Sequence, residues 1–273
     1  MTKSLSIKKL DLETERKLLK VNQILNEEHE VDIVSTFMGA HAIPPEFKGN
    51  REGFIDTLIN EMIPKVAEEN LAEFIDCFCE EGVFSTEETE KILKAGEEHG
   101  FKLKLHGDEV ESIGGAELAG KLKCISAEHL IAASDKGIKA LSDNNVVAVL
   151  LPSTAFYLMV GKFARARDMI DAGVAVALAT DCNPGTSPTE SLQTVMTFAC
   201  FGMRMLPEEV INAMTINAAS AINREKEIGS IEVGKRADIA IFNSPNLNYL
   251  IYHFGINAID TVIKDGKIVV SNL

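Results

Sequence analysis

No His-x-His pair occurs in the 273 residues, no two cysteines stand at CxxC spacing, and positive charge is scarce, with 27 lysines and arginines against 41 acids. The net charge of -14 sets up a field that repels phosphate at long range. That argues against nucleic acid and anionic membrane as partners, and leaves a small-molecule substrate where a local site supplies positive charge. Long apolar runs are missing too: Val146 to Leu151 and Val174 to Ala179 are the longest kind present, far short of the roughly 20 residues of a membrane span. The five cysteines (Cys77, Cys79, Cys124, Cys182, Cys200) lie on apolar runs or near the candidate site without CxxC spacing, and no signal peptide is expected before them. They are expected to be reduced, and the chain to be cytoplasmic.

What is present is material for a full core. Hydrophobic residues make up 46% of the chain and charged residues 25%, at a length close to that of one α/β barrel. From about Val31 onward, short β-branched or apolar runs alternate with helical patterns, an order that predicts parallel strands covered by helices. The strand candidates are Asp32 to Ala40, Leu71 to Cys79, Lys102 to His106, Lys123 to His129, Val146 to Leu151 and Val174 to Thr180. An acidic helix over Leu12 to Glu28 precedes them. Ser85 with Thr86, Glu87 and Glu88 reads as the capped, acidic start of another helix that Gly100 closes. A third is expected over Gly161 to Ala172, and a fourth from Pro207 with Val210, Ile211, Met214 and Ala218 on one face.

Six strands are too few to close an eight-stranded barrel, and the two open edges would be a liability. The chain is therefore expected to be part of a longer protein or to receive strands from elsewhere. After about Asn223 the texture changes, and Ile228 to Val233, Ala237 to Asn243 and Asp260 to Val269 read as short antiparallel strands, with Lys264-Asp265-Gly266-Lys267 as a turn. The expected division is a partial barrel over 1–222 and a small β unit over 223–273.

His106, His129 and Asp181 each close a predicted strand, on the face where a parallel barrel carries its chemistry. In Lys102-Leu103-Lys104-Leu105-His106 the leucines share one face and His106 shares the other with the lysines, so His106 should point inward. Asp181 has Ala175, Ala177 and Ala179 on its parity, which predicts a small-residue lumen beneath a carboxylate. An imidazole and a carboxylate suit a divalent ion, which lowers the pKa of bound water from about 15.7 to about 7. Glu109 follows His106 by three residues and is either a proton carrier or a solvated loop acid beside Asp108 and Glu111. His41 ends a strand before the rigid Ile43-Pro44-Pro45. The loop Asp181-Cys182-Asn183-Pro184-Gly185-Thr186-Ser187-Pro188 can present backbone N–H groups to an anion, or is a plain turn.

Four segments are specific enough to carry a resemblance: Thr36 through Pro45, Leu105-His106-Gly107-Asp108-Glu109, Ser126-Ala127-Glu128-His129-Leu130, and Ala179 through Gly185. Together they resemble imidazolonepropionases, histidine-degrading enzymes of the amidohydrolase superfamily. The tail Gly229 through Asp238 resembles the segment by which amidohydrolases return to their small β domain. The resemblance implies a (β/α)8 TIM-type barrel whose third to eighth strands are the six above, and a zinc or iron ion held by His106 and Asp181. It makes His41 and Glu109 substrate contacts, His129 a catalytic group beside Glu109 and Asp181, and Asn183, Gly185 and Thr186 the loop that receives the propionate or the product. The reaction implied is hydrolysis of the cyclic amide of 4-imidazolone-5-propanoate to N-formimidoyl-glutamate. A homodimer or a complementing N-terminal segment is the partner implied. The chain departs from the pattern in lacking His-x-His and in having Lys8 where the family has a tyrosine. Another cyclic-amide hydrolase or deaminase of the superfamily, and a non-catalytic binding module, are the alternatives.

Overall fold

The computed structural model describes residues 11–272, so Lys8 lies outside the described residues. The chain divides into two compact units that part at Val146 and Val147. In the first, Asp11 caps helix α1 (Leu12–Glu28) by accepting a hydrogen bond from Thr14 N at 2.9 Å. Strand β1 (Thr36–Ala40) follows, then α2 (Arg51–Thr57) and α3 (Ile63–Glu68) joined through a π-helical turn, β2 (Phe74–Cys79), α4 (Thr86–Glu98), β3 (Lys102–Gly107), α5 (Gly115–Leu122), β4 (Ser126–His129) and α6 (Asp135–Asp143). The four strands are parallel and lie in the order β1-β2-β3-β4. Helix α4 begins where its residues predict, with Ser85 and Glu88 forming a reciprocal capping box. The core holds Phe37, Phe54, Leu58, Met62, Phe74, Ile75 and Leu105, all essentially without solvent exposure.

The second unit holds β5 (Val147–Leu150), α7 (Pro152–Tyr157), α8 (Ala166–Asp171), β6 (Val176–Leu178), α9 (Leu192–Met203), α10 (Pro207–Met214) and α11 (Ile216–Ala221). Its β5 and β6 are parallel. The antiparallel sheet β7 (Ile239–Phe242), β8 (Ile259–Lys264) and β9 (Lys267–Ser271) completes it, with α12 (Leu247–Tyr252) between β7 and β8. All six parallel strands expected from the sequence are present, each leading toward helix, which is the α/β arrangement of consecutive barrel strands. No described helix is long and apolar enough to cross a membrane. All five cysteines are free thiols.

Several boundaries differ from the expectation, each for a local reason. The strand expected from Lys123 starts only at Ser126, because Lys123 takes a left-handed conformation (φ 52°) that ends α5. The helix expected over Gly161 to Ala172 begins at Ala166, after a stretch opened by Gly161 at φ 80°. Ile228 to Val233 is not a strand: Ile228 N still bonds Arg224 O in a helical turn, and Gly229 at φ 90° redirects the chain. The hairpin turn is as predicted, since Asp265 and Gly266 both have positive φ (50° and 76°), the pair of values that a two-residue hairpin loop requires.

Candidate active site

Register builds the site in the first unit. Asp76 and Phe78 on β2 stand opposite Lys104 and His106 on β3, and these opposite Ser126 and Glu128 on β4. The six side chains therefore share one face of the pleat, while Leu103, Leu105 and Ala127 occupy the other and are buried. The inward parity expected for His106 is what β3 adopts. Lys104 is held on that face by Ser126 Oγ at 2.7 Å and Glu128 Oε1 at 3.3 Å, and its ammonium lies over the Phe74 ring.

The centre of the face is Asp76, a carboxylate 1% exposed in an otherwise apolar strand. His41 Nε2 lies 2.9 Å from Asp76 Oδ1, and His106 Nδ1 lies 2.9 Å from both carboxylate oxygens. Burial by itself would raise the Asp76 carboxyl, but the charge and hydrogen bonds of His106 and His41 outweigh it and hold the group well below the usual carboxylate range. One donor atom each from His41, Asp76 and His106 lie within 4.8 Å of one another. Asp76 was not singled out from the sequence. Its signal was there, as the lone acid within the buried run Phe74-Ile75-Asp76-Cys77-Phe78-Cys79.

His129 reaches the same cluster by a different route. Its strand parity points away from His106, but His129 and Leu130 have φ of 69° and 58°, a left-handed conformation uncommon outside glycine. The turn brings the His129 ring to 5.1 Å from that of His106, centroid to centroid. Burial, followed by the nearby charge of His106, pushes the His129 imidazole well below its ordinary pKa, so the ring is neutral. Neither ring nitrogen makes a hydrogen bond among the described residues. Nδ1 is 3.6 Å from Glu109 Oε1, beyond hydrogen-bond reach.

Glu109 is 1% exposed, so the solvated-acid alternative does not describe it. Two other buried acids hold its loop. Glu80 accepts the backbone N–H groups of Glu109, Val110 and Glu111 at 2.9 to 3.1 Å. Asp108 accepts those of Ile113, Gly114, Gly115 and Ala116 at 2.9 to 3.2 Å. Sequence reading missed both roles, because each depends on backbone groups whose direction only the folded loop sets.

The remaining predicted residues belong to the second unit. Asp181, at φ 52°, accepts a hydrogen bond from Thr154 Oγ1 at 2.6 Å. Asn183 Oδ1 accepts from Gly185 N, Thr186 N and Thr186 Oγ1 at 2.9, 2.8 and 3.1 Å. The two amides expected to face an incoming anion are thus turned onto Asn183, in the local pattern that asparagine favours. The alanine face expected to open as a lumen is filled instead: Ala177 and Ala179 cluster with Val147, Val149 and Leu151 and with Ala218 and Ala221 of α11.

The donor types suit a divalent metal ion. Imidazole nitrogen and carboxylate oxygen are what zinc or iron takes, and a buried imidazole with both nitrogens unbonded is a group awaiting a ligand.

Residues 83–269 match the family model for the amidohydrolase family. An imidazolonepropionase of Treponema denticola is 58% identical over 260 residues, which are 95% of this chain and 63% of that protein. One from Alkaliphilus oremlandii is 59% identical over 261 residues, 96% of this chain and 62% of that protein. The chain spans less than two thirds of the length of these relatives. Among solved structures, an adenosine deaminase from Xanthomonas campestris with bound zinc aligns with a TM-score of 0.70 at 17% identity, covering 93% of this chain and 64% of that one. An E. coli guanine deaminase aligns at 0.72 and 14%, covering 97% and 69%. At such identities the likeness speaks for fold alone.

Proposed function

The chain belongs to the amidohydrolase family, and from that premise we propose that it serves the metal-dependent hydrolysis of 4-imidazolone-5-propanoate to N-formimidoyl-glutamate in histidine degradation. The observation that carries the reading is the cluster of His41, Asp76, His106, His129 and Glu109, in which Asp76, His129 and Glu109 are buried and the other two partly so, in a chain 58% identical to an imidazolonepropionase. His106 and Asp181 are the proposed metal ligands, with His41 and Asp76 adjoining His106. A zinc or iron ion bound there would supply Lewis acidity and water ionised at neutral pH.

The chain's own residues then handle protons and orientation. Water adds to the ring carbonyl carbon, and its proton passes to Asp181 or to neutral His129. The C–N bond of the ring breaks as Glu109 delivers a proton to the departing nitrogen, leaving a carboxylate and the formimidoyl group. His129 also stabilises the oxyanion that develops at the carbonyl oxygen. His41 and Glu109 contact the ring, and Asn183, Gly185 and Thr186 would receive the propionate only once the Gly185 and Thr186 amides leave Asn183 Oδ1. The barrel part is assigned to residues 1–222 and the small β unit to 223–273, in a cytoplasmic homodimer or an assembly with a complementing segment.

Mass spectrometry of the chain incubated with 4-imidazolone-5-propanoate, dihydroorotate, hydantoin and guanine, with zinc or iron(II), tests this reading. N-formimidoyl-glutamate is the expected product. Consumption of the other substrates alone overturns the assignment, and absence of bound metal after reconstitution points to a binding module instead.

A further inference from the structure

The loop that carries Glu109 after β3 turns three successive backbone N–H groups toward one point, those of Glu109, Val110 and Glu111. Such a run of donors suits an acceptor with two oxygens. Here the acceptor comes from the neighbouring strand end: Glu80 Oε2 accepts from Glu109 N at 2.9 Å and from Val110 N at 3.0 Å, and Oε1 accepts from Glu111 N at 3.1 Å. A peptide N–H can only donate, so the direction of these bonds holds whatever proton any side chain carries. We infer that Glu80 is a positioning residue, which sets the Glu109 carboxyl against His129 by gripping the backbone that carries it.

Both ends of this grip are fixed. Glu80 is 4% exposed, and its own N–H donates to Phe84 O at 3.1 Å, beside the bridge between Cys79 and Phe84. On the far side the same loop holds the turn of His129: Leu130 N donates to Gly107 O at 3.2 Å, and Ala132 N to Asp108 O at 2.7 Å. The line of contacts runs from the end of β2, through the loop after β3, to the turn after β4. It leaves Glu109 Oε1 3.6 Å from His129 Nδ1. Without Glu80 the three N–H groups lose their acceptor and must turn to water, which the loop reaches at Val110, 55% exposed. Glu109 then has nothing to keep it turned inward. The competing account is that Glu80 only stabilises the fold. In that case its loss would weaken the whole unit alike, with no preference for the approach of Glu109 to His129.

That Glu109 delivers a proton rests on the function proposed above; where Glu80 places it does not. The test is NMR of the full chain, deuterated except at glutamate and histidine, with His129→Asn supplying the ring assignment. The wild-type protein is expected to show slow exchange at the amides of Glu109, Val110 and Glu111, relative to the same chain in urea, and a nuclear Overhauser contact between the Glu109 side chain and the His129 ring. Glu80→Ala should lose both while the amides of Ile75 and Leu105 keep their protection. Glu80→Gln, which retains one acceptor oxygen, should keep the contact and lose protection at Glu111 alone. With imidazolonepropionate as substrate, Glu80→Ala should lower kcat about 100-fold at unchanged KM, and Glu80→Gln should restore most of it. Free exchange of the three amides in the wild type overturns the inference, as does a Glu109–His129 contact that survives in Glu80→Ala. If Glu80→Ala does not fold, Glu80→Gln decides, and protection lost evenly along that chain overturns the inference too. The expected placement in a chain that spares imidazolonepropionate sinks the function and leaves this inference standing; turnover with kcat untouched in Glu80→Ala does the reverse.

Discussion

Glu15, on α1, should make the stability of the protein fall as pH rises, and replacing it with glutamine should remove that dependence. The side chain is 5% exposed, and burial raises its pKa from 4.5 to about 7, against the lowering effect of a backbone hydrogen bond from Met38 and with a smaller rise from Asp11. Below the unfolded value the carboxyl is protonated in both states and costs nothing. Between 4.5 and about 7 the unfolded chain ionises while the folded chain keeps its proton, so each pH unit removes about 1.4 kcal/mol. Above about 7 both states are ionised and the loss is complete, at about 3 kcal/mol. Glutamine keeps the shape and the acceptor for Met38 but cannot ionise. Urea unfolding at pH 5.5 and pH 8 stays clear of the isoelectric region near pH 4.9. Across that interval the advantage of Glu15→Gln over the native protein should grow by about 2 kcal/mol. A difference that stays flat between the two pH values would refute the claim that burial holds this proton.

Asp108→Asn should cost about 3 kcal/mol, because one oxygen that accepts backbone N–H groups becomes a donor facing them. Hydrogen exchange should rise specifically at the amides of Ile113 through Ala116, and unchanged protection there would count against the role given to Asp108. Gly120→Ala places a methyl 2.6 Å from the Ala140 carbonyl oxygen where α5 meets α6, and the urea midpoint should report a loss of about 1–3 kcal/mol. His129→Asn tolerates the left-handed backbone. It should keep a cooperative urea transition while lowering imidazolonepropionate turnover by about 10²–10⁴-fold; native-like turnover would remove His129 from the chemistry.

The local periodicities of the chain already fixed the six parallel strands, the capped start at Ser85, the hairpin turn at Asp265-Gly266, and the inward direction of His106. Each depends on residues within a few positions, where alternation, capping and turn preference act directly. The same is true of the resemblance, which rests on short contiguous segments. What only the tertiary structure decided is how distant residues meet. Asp76 is inconspicuous in sequence, and it becomes the centre of the site because β1, β2 and β3 bring His41 and His106 to either side of it. His129 joins them against its strand parity, through a left-handed turn that no periodicity predicts. Glu80 and Asp108 act on backbone groups rather than on side chains, and the Ala177 and Ala179 face is closed by α11, some forty residues later in the chain. Sequence patterns record the preferences of single elements; hydrogen bonds and packing between elements exist only once those elements are assembled.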